Sequence, residues 1–377
     1  MKAQDLPPGV AAGPPLAGRP LRIAILGLSI TSSWGNGHAT TWRALVRALA
    51  QRGHDLLFLE RDVPWYASHR DLPDPPFCRT ALYDDLGMLQ QRWGEAVAGA
   101  DLVIVGSFVP EGIAVGDWVQ RQARGLTAFY DIDTPVTLSA LAQGTCTYLS
   151  RGQLPGYGLY LSFTGGPILA RLEDDFGAQA ARVLYCAVDP HLHAAGGAAD
   201  PTHDLGYMGT HSDDRSAGLD ALLLAPARRW RAGRFTVAGP NHPRTDTWPA
   251  NVQYVPHLAP PDHPAFYGSQ RFTLNLTRAD MRAAGWSPSV RLFEAAACGT
   301  PIISDRWCGI EDVLTPGREI FLADSADEVL ALLRELPEDQ RRAAGDAARR
   351  RVLSAHTADH RARELEAFVA ERTGVRA

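Results

Sequence analysis

Residues 287–305 read SPSVRLFEAAACGTPIISD. The run has the outline of a helix that feeds a buried strand. Ser287 suits a helix N-cap and Pro288 the first helical position. Gly299 suits the position just past the last turn, and PIIS (301–304) reads as a short apolar strand. Leu292, Ala295, Ala296 and Cys298 supply a packing surface. Arg291 and Glu294 sit among them, three residues apart and so on one helix face. As an intrahelical ion pair they would contribute only about 0.2–0.5 kcal/mol. Their placement offers more. A helix N-terminus presents free N–H groups and the positive end of the dipole, which suits phosphate. A carboxylate one turn later can accept hydrogen bonds from two adjacent hydroxyls. Phosphate beside a vicinal diol describes a nucleotide diphosphate.

Working outward, the same helix-into-strand alternation fills the chain. LRIAILGL (21–28) is a strand, followed by a Gly-rich loop, the helix HATTWRALVRALAQRG and the strand DLLFLE, which together make one βαβ unit. Further strands are DLVIVGS (101–107), LTAFYDI (126–132), LYLSF (159–163) and RVLYCAV (182–188). The Gly-, Ala- and Pro-rich stretch 190–204 reads as a linker, and its HLH (191–193) as part of that linker. Alternation restarts with LGYMG (205–209), a helix over 216–231, FTVAG (235–239), NVQYV (251–255), FTLNL (272–276), PIIS and EIFLA (319–323). The C-terminal region is helical, its Arg/Glu pattern a solvated face. The reading is an α/β fold of two doubly wound, Rossmann-like parallel-sheet domains facing an interdomain cleft. A flexible tail over 1–20, an N-terminal domain over 21–190 and a C-terminal domain over 191–377 are expected.

Bulk properties narrow the partners. A net charge of −5 offers no basic field for nucleic acid. No run approaches ~20 apolar residues, so no membrane span is expected. Five cysteines with no C-x-x-C support neither a zinc knuckle nor a disulfide framework, and a reducing, cytoplasmic setting fits.

The opening segment resembles the nucleotide-sugar-binding helix of GT-B glycosyltransferases. With NLTRADMRAAGWSPS before it, and with DLGYMGTHSDDR (204–215) and FTVAGP (235–240) upstream, it resembles more closely the CgeB-type, spore-maturation-like glycosyltransferase family. The resemblance covers most of 205–325 and, more loosely, the first half. It implies two Rossmann-like domains, with the donor nucleotide held mainly by the second. Glu294 then stands as ribose ligand, and the helix start at Ser287 and Ser289, with Arg215 and Arg291, as the diphosphate site. Thr210 lies in the same loop as Arg215. Many retaining GT-B enzymes carry E-x7-E. Glu294 matches the second glutamate, but the first falls on Trp286, so the sugar must be held otherwise, with Arg278, Asp280 and N–H groups near Ser287 as candidates.

Other strand-end loops complete the candidate site, because ligands on open parallel sheets bind outside the carboxyl ends of the strands. In SSWGNGHATTWR (32–43), Gly37 permits close backbone approach and His38 has a pKa suited to a general base. FYDIDTPVTL (129–138) contains D-x-D. Asp133 or Thr134 reads as the cap of a helix opened by Pro135, and Asp131 remains a cleft carboxylate and second candidate base. In SFTGGP (162–167), Gly165 and Gly166 can bring N–H groups to a ligand.

The expected activity is metal-independent transfer of a sugar from a UDP- or dTDP-type donor to an unidentified acceptor (glycan, small molecule or protein), with no cofactor beyond the donor. The competing readings are a nucleotide-sugar 2-epimerase, a non-catalytic nucleotide-sugar-binding protein and an NAD-dependent dehydrogenase. The imperfect Gly loop disfavours the last.

Overall fold

The structure, a computed structural model, describes residues 19–194 and 201–374. The expected tail lies almost wholly outside them. The first sheet contains β1 (Arg22–Gly27), β2 (Asp55–Arg61), β3 (Arg79–Tyr83), β4 (Leu102–Gly106), β5 (Leu126–Asp131), β6 (Leu159–Ser162) and β7 (Ala181–Val183), in the order β3-β2-β1-β4-β5-β6-β7. The second contains β8 (His203–Met208), β9 (Phe235–Ala238), β10 (Val252–Val255), β11 (Gln270–Asn275), β12 (Ile302–Ser304) and β13 (Phe321–Leu322), in the order β10-β9-β8-β11-β12-β13. Every strand pairing is parallel.

The near-continuous apolar runs are what two-sided burial requires. In β4, Leu102 and Ile104 join one core while Val103 and Val105 join the core on the other face. Helices cover both faces, and the architecture is the expected pair of doubly wound α/β domains.

Three local readings differ from expectation. β3 was not foreseen, because only Tyr83 of its five residues is buried and its apolar signal is weak. RVLYCAV forms a strand only at Ala181–Val183 and continues outside the sheet toward the second domain. The helix expected at 216–231 is split into Asp213–Leu219, a π-turn at Asp220–Leu224 and Ala225–Arg229. Pro226 has no N–H to return to the preceding turn, so the backbone widens there.

The chain passes between the domains twice, and the two passages lie side by side. Val188 bridges to Thr357, with Val188 N–H donating to the His356 carbonyl (3.3 Å) and Ala358 N–H to the Val188 carbonyl (2.9 Å). The last helix, Ala358–Thr373, then packs on the Gly37–Gln51 helix of the first domain. Glu366 accepts from Arg52 Nε at 2.6 Å and lies 2.9 Å from His54 Nε2.

Candidate active site

Strand order reverses between β1 and β4 in the first sheet and between β8 and β11 in the second. Loops leaving strands at such points diverge and leave a crevice. The two crevices face each other across one cavity of about 610 Å³ lined by both domains. It holds His38, Asp133 and Phe108 from the first domain, and Thr210, Arg215, Arg278, Ser287, Ser289, Arg291 and Glu294 from the second.

The helix of the opening stretch runs Val290–Ala297, with Ser289 rather than Ser287 at its N-cap. Ser289 does not cap with its side chain. Its hydroxyl donates to Asn275 Oδ1 at 2.7 Å. Ser287 is buried and its hydroxyl meets Thr164 Oγ1 of the first domain. Gly299, at φ +77°, ends the helix as expected.

Arg291 and Glu294 both line the cleft but do not form the intrahelical ion pair that their spacing allows. Arg291 Nε donates to the Met208 carbonyl (2.6 Å), Nη1 donates to Asn275 Oδ1 (2.9 Å), and the guanidinium stacks 4.6 Å from the Tyr207 ring centroid. It braces the ends of β8 and β11. Gly209 is what lets the guanidinium in, since a Cβ there would lie 2.7 Å from Arg291 Nη2.

Glu294 turns the other way. Tyr267 Oη donates to its Oε2 at 3.0 Å, and His263 Nδ1 stands 3.6 Å from the same oxygen. His193 Nε2 stands 3.6 Å from Oε1. Both imidazole distances exceed a hydrogen bond. Among the described residues, Oε1 is buried without a hydrogen-bond partner, as are both ring nitrogens of His193 and Nδ1 of His263. Burial alone would raise the carboxyl's pKa, but His193, His263 and the Tyr267 hydroxyl outweigh it and hold the pKa at about 2. Burial works against protonation of His263 too, yet Glu294 prevails and its pKa rises. In His193 burial wins and the pKa falls. The carboxylate therefore faces two imidazoles rather than an arginine. Two imidazoles and a carboxylate, with ligand atoms within 4.8 Å of one another, could also hold a metal ion.

The sequence did not single out His193, His263 or Tyr267 as functional. His193 lies in the stretch taken for plain linker. It is 1% exposed and packed into the site. Nothing local marks it, since only the passage between domains brings it to Glu294.

The two aspartates of D-x-D exchange places relative to expectation. Asp131 is fully buried at the end of β5. It accepts from the Tyr160 hydroxyl, from Thr137 Oγ1 (2.9 Å) and from the Asp133 N–H (3.2 Å). Burial pushes its pKa up to about 6. It fastens the start of the Thr134–Gln143 helix and does not line the cleft. Asp133 is the N-cap of that helix, but its side chain caps nothing and faces the cleft. There Arg278 Nη1 donates to its Oδ2 at 3.1 Å.

His38 follows the N-cap Asn36, whose Oδ1 accepts from His38 N–H at 3.0 Å, so the helix begins one residue earlier, at Gly37. The ring packs edge-on to Phe108, 5.4 Å between centroids. Burial lowers its pKa, Asp133 raises it and Arg278 lowers it, with a net fall. Burial thus favours the neutral imidazole, the form that can accept a proton. Gly37 lines the cleft with open space at its Cα. Arg215 Nη2 donates to the Thr210 carbonyl (2.8 Å), while its Nε is buried without a partner among the described residues.

Three expected contacts move away from the ligand space. Asp280 is exposed on the Ala279–Ala284 helix and does not line the cleft. Gly165 N–H donates to the Trp286 carbonyl at 2.9 Å, so it is already used. Gly166 lies against the Trp286 indole. Trp286 itself, at φ +45°, sends its ring between Gly166 and Gly309, and its Nε1 donates to Asp312 Oδ2 at 2.8 Å. The position of the absent glutamate is a wedge between the domains.

Solved structures with the same architecture include sucrose-phosphate synthase from Thermosynechococcus elongatus (17% identity, 93% of this chain and 98% of that one, TM-score 0.68). Anabaena HepE in complex with UDP and glucose aligns at 13% identity over 93% and 99% of the chains, TM-score 0.70. An alpha-glucosyltransferase in complex with UDP-glucose and DNA containing an abasic site aligns at 11% over 93% and 100%, TM-score 0.68. No curated protein matches the chain by sequence. The architecture is that of GT-B glycosyltransferases, and residues 215–367, the greater part of the second domain, match the family described as Glycosyl transferase-like.

Proposed function

We propose that the protein transfers a sugar from a nucleotide diphosphate sugar, of UDP or dTDP type, to an acceptor. The observation that carries this is Glu294: an ionised, buried carboxylate whose Oε1 has no hydrogen-bond partner among the described residues, one turn into a helix whose start faces the same cleft. A ribose diol would supply the missing donors and relieve an otherwise costly orphan. The diphosphate would then lie at the start of the Val290–Ala297 helix, reached by Arg215 through its unpartnered Nε. These groups stabilise the charge that develops on the departing diphosphate, the main electrostatic task of the reaction, and the proposal needs no metal for it. Neutral His38, on the opposite wall, takes the proton of the acceptor hydroxyl if the reaction inverts. In a retaining reaction the donor phosphate can do so, and NMR of the product's anomeric centre separates the two. The resemblance of residues 205–325 to CgeB-type enzymes supports the same reading of the donor site.

The test is calorimetry against UDP, dTDP, GDP and ADP, with and without a chelator. UDP or dTDP binds, the chelator changes nothing, and Glu294→Ala reduces affinity at least about tenfold, as removal of a hydrogen bond to a charged group predicts. If no nucleoside diphosphate binds, or if Glu294→Ala binds normally, the donor site is wrongly placed. Loss of binding with the chelator would assign His193, His263 and Glu294 to a cation instead.

A further inference from the structure

Asp133 and Arg278 belong to opposite domains and meet across the cleft at 3.1 Å through a single Nη1 contact. Asp133 stands at a helix start where it caps nothing. Arg278 follows β11 and keeps a second partner, Asp214 Oδ2, 3.2 Å from its Nε. Both line the cavity beside His38 and Arg215. The contact thus places a carboxylate on a cation that faces the space where the donor reading puts the diphosphate.

We propose that Asp133 is a placeholder for the donor diphosphate: it holds Arg278 until the donor binds, then yields it to phosphate oxygens and is left facing His38. The inference rests on the donor reading and goes beyond it, since it assigns a role to a residue that touches neither ribose nor base. A diphosphate carries more charge than one carboxylate and matches the guanidinium fork in two-point fashion. The exchange breaks one hydrogen bond and makes two. It also changes the surroundings of His38, on which Asp133 and Arg278 act in opposite directions. Burial still disfavours a proton at His38, but once phosphate neutralises Arg278 the pull of Asp133 no longer has the arginine against it as well. Donor binding would thereby strengthen the base at the moment it is needed. Asp133 is a positioning residue in this scheme.

The experiment is calorimetric titration of UDP into wild type, Asp133→Asn, Arg278→Gln and the double variant at fixed salt. Asp133→Asn removes the competitor and binds UDP about three- to tenfold more tightly, while Arg278→Gln binds less tightly. In the Arg278→Gln background, Asp133→Asn has no further effect, the non-additivity expected of one shared contact. Asp133→Ser, which can cap the helix, serves if the asparagine variant does not fold. Unchanged or weaker UDP binding by a folded Asp133 variant overturns the exchange and leaves the donor reading intact. Absence of UDP binding to the wild type overturns both.

Discussion

Gly166 and Trp286 are locked together across the domain interface: a Cβ on Gly166 would lie 2.5 Å from the indole Cδ2. Gly166 also sits at φ +64°, where a side chain is strained. Gly166→Ala should therefore destabilise the protein by about 1–3 kcal/mol. Thermal unfolding checks it, at roughly 2–4 °C per kcal/mol for domains of this size. An unchanged melting temperature would mean the indole moves aside freely.

Restoring the E-x7-E pattern with Trp286→Glu should not improve donor binding. The side chain at 286 faces Gly166, Gly309 and Asp312 rather than the cleft. A new carboxylate there would meet Asp312 and leave the space of an indole unfilled. The expected result is a lower melting temperature with no gain in affinity for UDP-glucose over UDP. A gain would show that the loop can turn its side chain to the sugar.

The two aspartates of D-x-D should separate cleanly by kind of damage. Asp131→Ala leaves Tyr160 Oη and Thr137 Oγ1 without that acceptor and should cost about 1–3 kcal/mol of stability. Asp131→Asn keeps an acceptor and should be milder. Neither should alter the pH dependence of turnover, because Asp131 does not reach the cleft. A denaturant titration and a pH–rate profile of each variant make the check.

These residues show where legibility stopped. Alternating helix and strand signals gave both domains, since fully buried parallel strands must be continuous apolar runs. Glu294 was legible because its place one turn into a helix is a local feature. Which of Asp131 and Asp133 faces the cleft was not, because it depends on the strand ending at Asp131 rather than two residues later. His193, His263 and Tyr267 converge from a linker and a six-residue helix with no pattern linking them. Trp286 was read as a missing ligand, when its neighbours Gly166 and Gly309 make it a packing element.

The Glu294–His263 pair should leave a pH signature. The carboxyl's pKa is held at about 2 against an ordinary 4.5, so its contribution to stability is present above pH 4.5 and lost as pH falls toward 2. His263 is raised above 6.5, so its contribution is complete below pH 6.5 and lost as pH rises through the raised value. The stability difference between wild type and Glu294→Gln should thus be greatest between pH 4.5 and 6.5 and change on both sides. Melting temperatures of both proteins across pH 3–9 test it, and a difference independent of pH would mean the pair is not ionised.

The last helix gives the molecule an order of assembly. Because Ala358–Thr373 packs on the Gly37–Gln51 helix and Glu366 binds Arg52 and His54, the first domain is built from two stretches separated by the whole second sheet. On the ribosome its sheet emerges first, yet the surface that this helix covers stays open until residues 358–373 follow. The half that is made first is completed by a helix made after the whole second sheet, and loss of that helix would be felt 314 residues upstream, at Arg52.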